Sequence, residues 1–196
     1  DKDILREYSE GLIALSGCPA GELGRALQHG KYDRGEEIIR EYQEIFGKEN
    51  YFLEIMDHPE VENFGAMKKG LILLSEKLGI PLVATQDSHC PTKEHARAHK
   101  TLVAISTHTD VSDTAIFSGD GDYHFISTEE ALEKFKDVPE AVANTMKVAA
   151  MCDLTLELGK WVFPHIEFEK GDNADDELRK LSQEGIPFRE LTDRKS

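Results

Sequence analysis

Short apolar runs alternate with longer amphipathic stretches through the first half of the chain, and nearly every amphipathic stretch closes on a glycine. GLIALSG (11–17), NYFLEIM (50–56) and IPLVATQ (80–86) are brief and rich in branched or aromatic residues, the pattern of strands. GELGRALQHG (21–30), YDRGEEIIREYQEIFG (32–47), VENFGAMKKGLILLSEKLG (61–79) and KEHARAHKTLVAIST (93–107) carry apolar residues at helical spacing. Gly30, Gly47 and Gly79 stand where a helix ends in left-handed backbone. Strands that alternate with helices cannot pair through tight turns, so they lie parallel with the helices as crossovers. The chain is therefore expected to be of the α/β class.

The second half has a different texture. Residues 111–127 are turn-rich, with SGDGD (118–122) as a loop tip and YHFIS (123–127) as a short extended piece. STEEALEKF (127–135) opens on a capping signature, and DVPEAVANTMKVAAMCDL (137–154) reads as a helix with Pro139 in its first turn. LTLELGKWVFPHIEF reads as an extended segment, followed by an acidic glycine-containing linker and a last helix over 174–191. The expected organisation is a main domain over 1–164 and a linker with helix over 165–196.

Acidic residues outnumber basic ones 38 to 23, for a net charge of −15. This balance argues against a broad phosphate-gripping surface on this chain alone, and leaves room for a local basic groove or a neighbouring domain that holds nucleic acid. Three cysteines, Cys18, Cys90 and Cys152, are far apart and have no CxxC spacing. They make no disulfide framework, and a reducing, cytoplasmic setting is expected. No apolar run is long enough to span a membrane.

Each apolar run ends in chemically capable residues: the first at Cys18, the second at Asp57 and His58, the third at Asp87 and His89. In α/β proteins, loops converge at the carboxyl ends of strands, so residues distant in sequence can share a site there. Asp87 and His89 are two apart, and on an extended segment both side chains point the same way. A carboxylate beside an imidazole suits zinc, manganese or iron, but a polar loop after a buried strand explains the same residues equally well. A Cys18 thiolate can bind a soft or borderline metal, but taken alone Cys18 reads as an ordinary small buried residue. His58 is expected in a core or surface role, with a place beside a metal as the minor alternative. Cys90, next to His89, points away and is not counted. His95 and His99 are four apart but lack the glutamate of a zinc-protease helix, and His99 is expected to be buried on a helix face. SGDGD has too few oxygen donors for a calcium loop. P-loop, GxGxxG and GxSxG motifs are absent.

EGLIALSGCPAGEL, YFLEI, GIPLVATQDSHC, AHKTLVAI, YHFISTEEALEKF and PEAVANTMKVAAMC, in this order, resemble the PHP (polymerase and histidinol phosphatase) domain at the start of bacterial DNA polymerase III alpha subunits. LGKWVFPHIEF and LRKLSQEGIPFREL resemble that family's exit toward the polymerase core. The resemblance covers nearly the whole chain. It implies a partial, distorted (β/α)7 barrel, an open relative of the eight-unit barrel, with a C-terminal extension toward the polymerase core. It also implies divalent metal ions, zinc or manganese, at the strand ends. Cys18, Asp87 and His89 fall on the family's last metal ligands, and His58 and His99 are candidates for the surrounding shell.

The family begins with an HxHxxYS-like segment, whereas this chain has no HxH and starts at Asp1 just before EGLI. An N-terminally truncated fragment is therefore expected, with an exposed sheet edge where the first strands would pair. The catalytic aspartates and magnesium of the polymerase belong to a downstream palm domain, so this stretch is not expected to polymerise DNA. Three functions follow from the resemblance. The first is a metal-dependent phosphoesterase or 3′-5′ exonuclease site in the intact protein, acting on DNA held by the rest of the polymerase. The second is a non-catalytic module that braces the polymerase, or docks a proofreading exonuclease or other replisome subunits. The third is a stand-alone PHP phosphatase, disfavoured by the polymerase-like second half.

Overall fold

The fold is built around one short strand, β2 (Tyr51–Ile55), with a parallel neighbour on each side: β1 (Ala14–Leu15) and β3 (Leu82–Ala84). The structure is a computed structural model that describes residues 1–59, 62–111, 123–164, 166–168 and 173–188. Ala14 stands opposite Tyr51 and Leu15 opposite Phe52; on the other side Leu53, Glu54 and Ile55 face Leu82, Val83 and Ala84. Tyr51, Phe52, Leu53 and Ile55 are all buried, so β2 is covered on both faces. This is why its sequence is a nearly continuous apolar run rather than an alternating one. Glu54 is the exception.

The crossovers are helical, as the glycine-closed patterns require. Helix α1 (Lys2–Glu7) precedes β1, and α2 (Glu22–Gln28) and α3 (Tyr32–Phe46) join β1 to β2. Helix α4 (Phe64–Leu78) joins β2 to β3. Gly47 and Gly79 cap α3 and α4 at φ of +85° and +66°. Leu27 of α2 is wholly buried where the three helices meet. A Cβ at Gly35 of α3 would lie 3.0 Å from its Cδ2, and one at Gly70 of α4 would lie 3.1 Å away. These two glycines let α3 and α4 close on the leucine.

After β3 come α5 (Ala96–Thr107), α6 (Thr128–Lys134) and α7 (Pro139–Met151). Helix α6 opens on a complete capping box, in which Ser127 Oγ accepts from the N–H of Glu130 and the Glu130 carboxylate accepts from the N–H of Ser127. Helix α7 lies on β3, where Asn144 Nδ2 donates to the carbonyl of Leu82 at 2.8 Å. Phe135, Val138 and Ala141 complete the core beneath the sheet. These elements form one compact unit, Asp1–Asp153. A second unit, Leu154–Ser196, holds α8 (Ala174–Phe188) and the irregular stretch 154–164, in which Trp161 and Phe163 stack with ring centres 6.2 Å apart.

The α/β class and the parallel pairing are as the sequence pattern requires. Several boundaries differ. The strand expected over 11–17 shrinks to Ala14–Leu15, because Gly11 and Gly17 take φ of +75° and +82° and leave the ladder at both ends. Helix α4 begins only at Phe64, after Asn63 at φ +58°. Residues 93–95 form a 3-10 turn ahead of α5 rather than its first turn. The SGDGD tip and residues 189–191 lie outside the described residues. Among the described residues, no helix is long and apolar enough to cross a membrane.

Leu27→Ala should cost about 2–5 kcal/mol of unfolding free energy, because two glycine-lined helix faces cannot collapse into the space it leaves. Urea unfolding followed by circular dichroism measures this.

Candidate metal site at the strand ends

The loops that leave β1 and β3 emerge on the same side of the sheet, because the strands are parallel. The β1 exit is held at each step. Ser16 N–H donates to the carbonyl of Phe52, and its Oγ accepts from the N–H of Glu54 at 2.9 Å. Gly17 N–H reaches Glu54 Oε2 at 3.1 Å. Gly21 N–H then donates to the carbonyl of Cys18, and Gln28 Nε2 to that of Pro19. Helix α2 seats against this turn through Gly24, where a Cβ would lie 2.7 Å from the carbonyl oxygens of both Cys18 and Pro19. The Cys18 thiol is left exposed at the tip.

The β3 exit carries Asp87 and His89. The sequence pattern assumes extended backbone here. Asp87 instead takes φ +57°, so the pair does not project by simple strand alternation. The two residues meet through the turn this creates. His89 Nδ1 lies 2.7 Å from the Asp87 carbonyl oxygen and 3.7 Å from Asp87 Oδ1. A carbonyl only accepts, so Nδ1 carries the proton in the neutral ring, and the lone pair of Nε2 is the metal-binding one. Both side chains are exposed.

Cys90 turns inward, buried, with Sγ 3.6 Å from the carbonyl of Tyr123. It bridges to His124 in parallel fashion, and His89 N–H donates to the Tyr123 carbonyl at 2.7 Å, so residues 123–125 run beside the β3 exit like a short further strand. His124 Nε2 stands 3.8 Å from Glu130 Oε1, and the donating Ser127 N–H lowers the Glu130 carboxyl from its ordinary value, against an opposing effect of burial.

The ring contacts join His58 and His99 to this corner. His58 is buried between Phe64, edge-on at 6.0 Å, and Tyr123, stacked at 5.0 Å. Tyr123 meets His89 edge-on at 5.5 Å, and His99 lies 5.1 Å from His89. The helix-face pattern places His99 in the core. It is only half-buried, because α5 lies at the surface with Ala104 its one buried residue. His95 sits in the 3-10 turn, exposed, with Nδ1 2.9 Å from Thr92 Oγ1. An open cavity of about 440 Å³ is lined by Ser88, His89, Cys90, Pro91 and the exposed Phe125.

Cys18 and the Asp87–His89 pair thus leave the sheet from strands two apart, with β2 between them, a separation of roughly 10 Å between strand axes. Among the described residues no group of three or more His, Cys, Asp or Glu side chains is gathered so as to hold a metal ion. The residue missed by reading strand ends alone is Glu54, whose Oε1 also accepts the hydroxyl of Thr85 at 2.7 Å. Its signal was a lone charge inside YFLEI.

Residues 1–58 match the family profile described as PHP domain. Over 190 residues, 96% of this chain, the sequence is 34% identical to the DNA polymerase III subunit alpha of Pseudomonas aeruginosa, and it is 34% identical over 193 residues to that of Escherichia coli. The chain belongs to the PHP-bearing DNA polymerase III alpha-subunit family. The alpha subunit of Saccharopolyspora erythraea is 35% identical over 152 residues, 76% of this chain. The chain spans 16% of the length of the first two alpha subunits and 13% of the third.

Gly24→Ala should lose about 1–3 kcal/mol, because the added methyl meets backbone oxygens that no rotamer change moves. Gly65→Ala, at an exposed point of α4 with nothing within 4 Å, is the control and should be neutral or slightly stabilising. Chemical denaturation of the two variants side by side checks the contrast.

Proposed function

We propose that this chain is part of the PHP domain of a replicative DNA polymerase, and that its strand-end loops contribute donors to a divalent metal site. The observation that carries the reading is His89. Its Nδ1 donates to the Asp87 carbonyl, which orients the ring and puts the imidazole lone pair on Nε2, and the Asp87 carboxylate stands beside it. An imidazole nitrogen and a carboxylate oxygen, with a thiolate one strand further on, form a donor set that fits zinc or manganese. β1, β2 and β3 are then three neighbouring strands of a (β/α)7 barrel.

Metal ions held there would supply activated water and charge neutralisation for phosphoester hydrolysis. The substrate class, by family membership, is the 3′ end of a DNA strand in the intact protein. His89 and Asp87 would bind and orient, with the half-buried Tyr123, stacked on the buried His58, packing edge-on against the His89 ring. DNA would be held by the rest of the polymerase, since this chain carries a net charge of −15.

One observation favours a second reading, a structural module within the polymerase that docks other replisome proteins: no three-donor group is gathered among the described residues. Metal uptake separates the two. The chain stripped with chelator and titrated with zinc or manganese should bind. Asp87→Ala and His89→Ala should each weaken binding by at least the roughly 10- to 100-fold that loss of an outer-shell partner costs, with unchanged circular dichroism. No uptake by the unaltered chain would overturn the metal reading and leave the structural one.

A further inference from the structure

Glu54 stands at the carboxyl end of β2, and its carboxylate is divided between the two neighbouring strand exits. Oε2 accepts the N–H of Gly17, at 3.1 Å, in the loop that leads to Cys18. Oε1 accepts the hydroxyl of Thr85, at 2.7 Å, in the loop that leads to Asp87 and His89. Its own N–H donates to Ser16 Oγ at 2.9 Å, so the β1 exit is gripped by both backbone and side chain of one residue. Thr85 N–H donates to the Ile55 carbonyl at 3.0 Å, which keeps the hydroxyl at the level of Glu54.

A half-buried carboxylate in an otherwise apolar strand is unfavourable unless its oxygens are satisfied, and here each oxygen has a donor from a different strand exit. Hydrogen bonds to an ionised oxygen are about twice as strong as neutral ones. Gly17, at φ +82°, has no side chain to fix its turn, so this bond sets the direction in which the loop departs.

We infer that Glu54 is a positioning residue: a single carboxylate that clamps the β1-exit loop to the β3-exit loop and so sets the separation of Cys18 from the Asp87–His89 pair. What the clamp positions rests on the metal reading; the clamp itself does not. Three variants of the chain test it: Glu54→Leu, Glu54→Gln and Thr85→Val. Leucine fills the space and accepts nothing. Glutamine keeps an oxygen for Gly17 and turns its amide toward the Thr85 hydroxyl oxygen, which can accept. Two readouts are used, amide hydrogen exchange at Gly17 in metal-free protein and zinc affinity by chelator competition.

Glu54→Leu should speed Gly17 exchange by about tenfold or more, and should weaken zinc binding about 10- to 100-fold. Glu54→Gln should stay within about threefold of the unaltered chain in both. Unchanged Gly17 exchange in Glu54→Leu, or equal damage from Glu54→Gln and Glu54→Leu, would overturn the clamp. If Glu54→Leu does not fold, Thr85→Val decides: faster Gly17 exchange supports the clamp, and unchanged exchange overturns it. If the unaltered chain binds no zinc while Glu54→Leu still speeds exchange, the clamp stands and the metal reading alone falls.

Discussion

The burial of β2 on both faces is the constraint on which the rest depends. A parallel strand with neighbours on each side has its backbone groups paired in both directions and its side chains enclosed above and below. Tyr51, Phe52, Leu53 and Ile55 meet that demand with apolar volume. Helices α2, α3 and α4 close over one face around Leu27, and α7 holds the β3 side through Asn144. Since all three strands run the same way, their exits gather on one side, and every side chain discussed as a donor leaves the sheet there.

The same arrangement limits what the exits can do alone. With β2 between them, the β1 and β3 loops start roughly 10 Å apart. Side chains from the two loops must reach inward to share one ion. The tight turns at Gly17 and Asp87, both with positive φ, are where the chain bends to make that possible. Glu54 lies between the two turns with one oxygen on each side, the only charged residue of β2.

The alternation of apolar runs with glycine-closed amphipathic stretches was enough to indicate parallel strands with helical crossovers, since parallel neighbours need a long crossover, usually a helix. Strand-end position made Asp87 and His89 as credible as ligands as they are as a plain polar loop, and the family resemblance added Cys18. What could not be read was local backbone. The left-handed turn at Asp87 breaks the alternation that the spacing of Asp87 and His89 implies, and nothing in an Asp-Ser-His triplet announces it. Gly11 and Gly17 shorten β1 for the same reason. His99 was misplaced because helical periodicity shows which residues share a face, not whether that face is covered. Glu54 was visible as a charge in an apolar run, but its two partners come from loops more than thirty residues away on either side, and pairing at that distance leaves no local pattern.

The central claim is that the β1 and β3 exits contribute to one metal centre. X-ray absorption at the zinc edge of the reloaded chain tests it most directly. One sulfur at about 2.3 Å should appear together with nitrogen and oxygen at about 2.0–2.1 Å, with the sulfur lost in Cys18→Ser. A shell of nitrogen and oxygen alone, unchanged by Cys18→Ser, would contradict a shared centre.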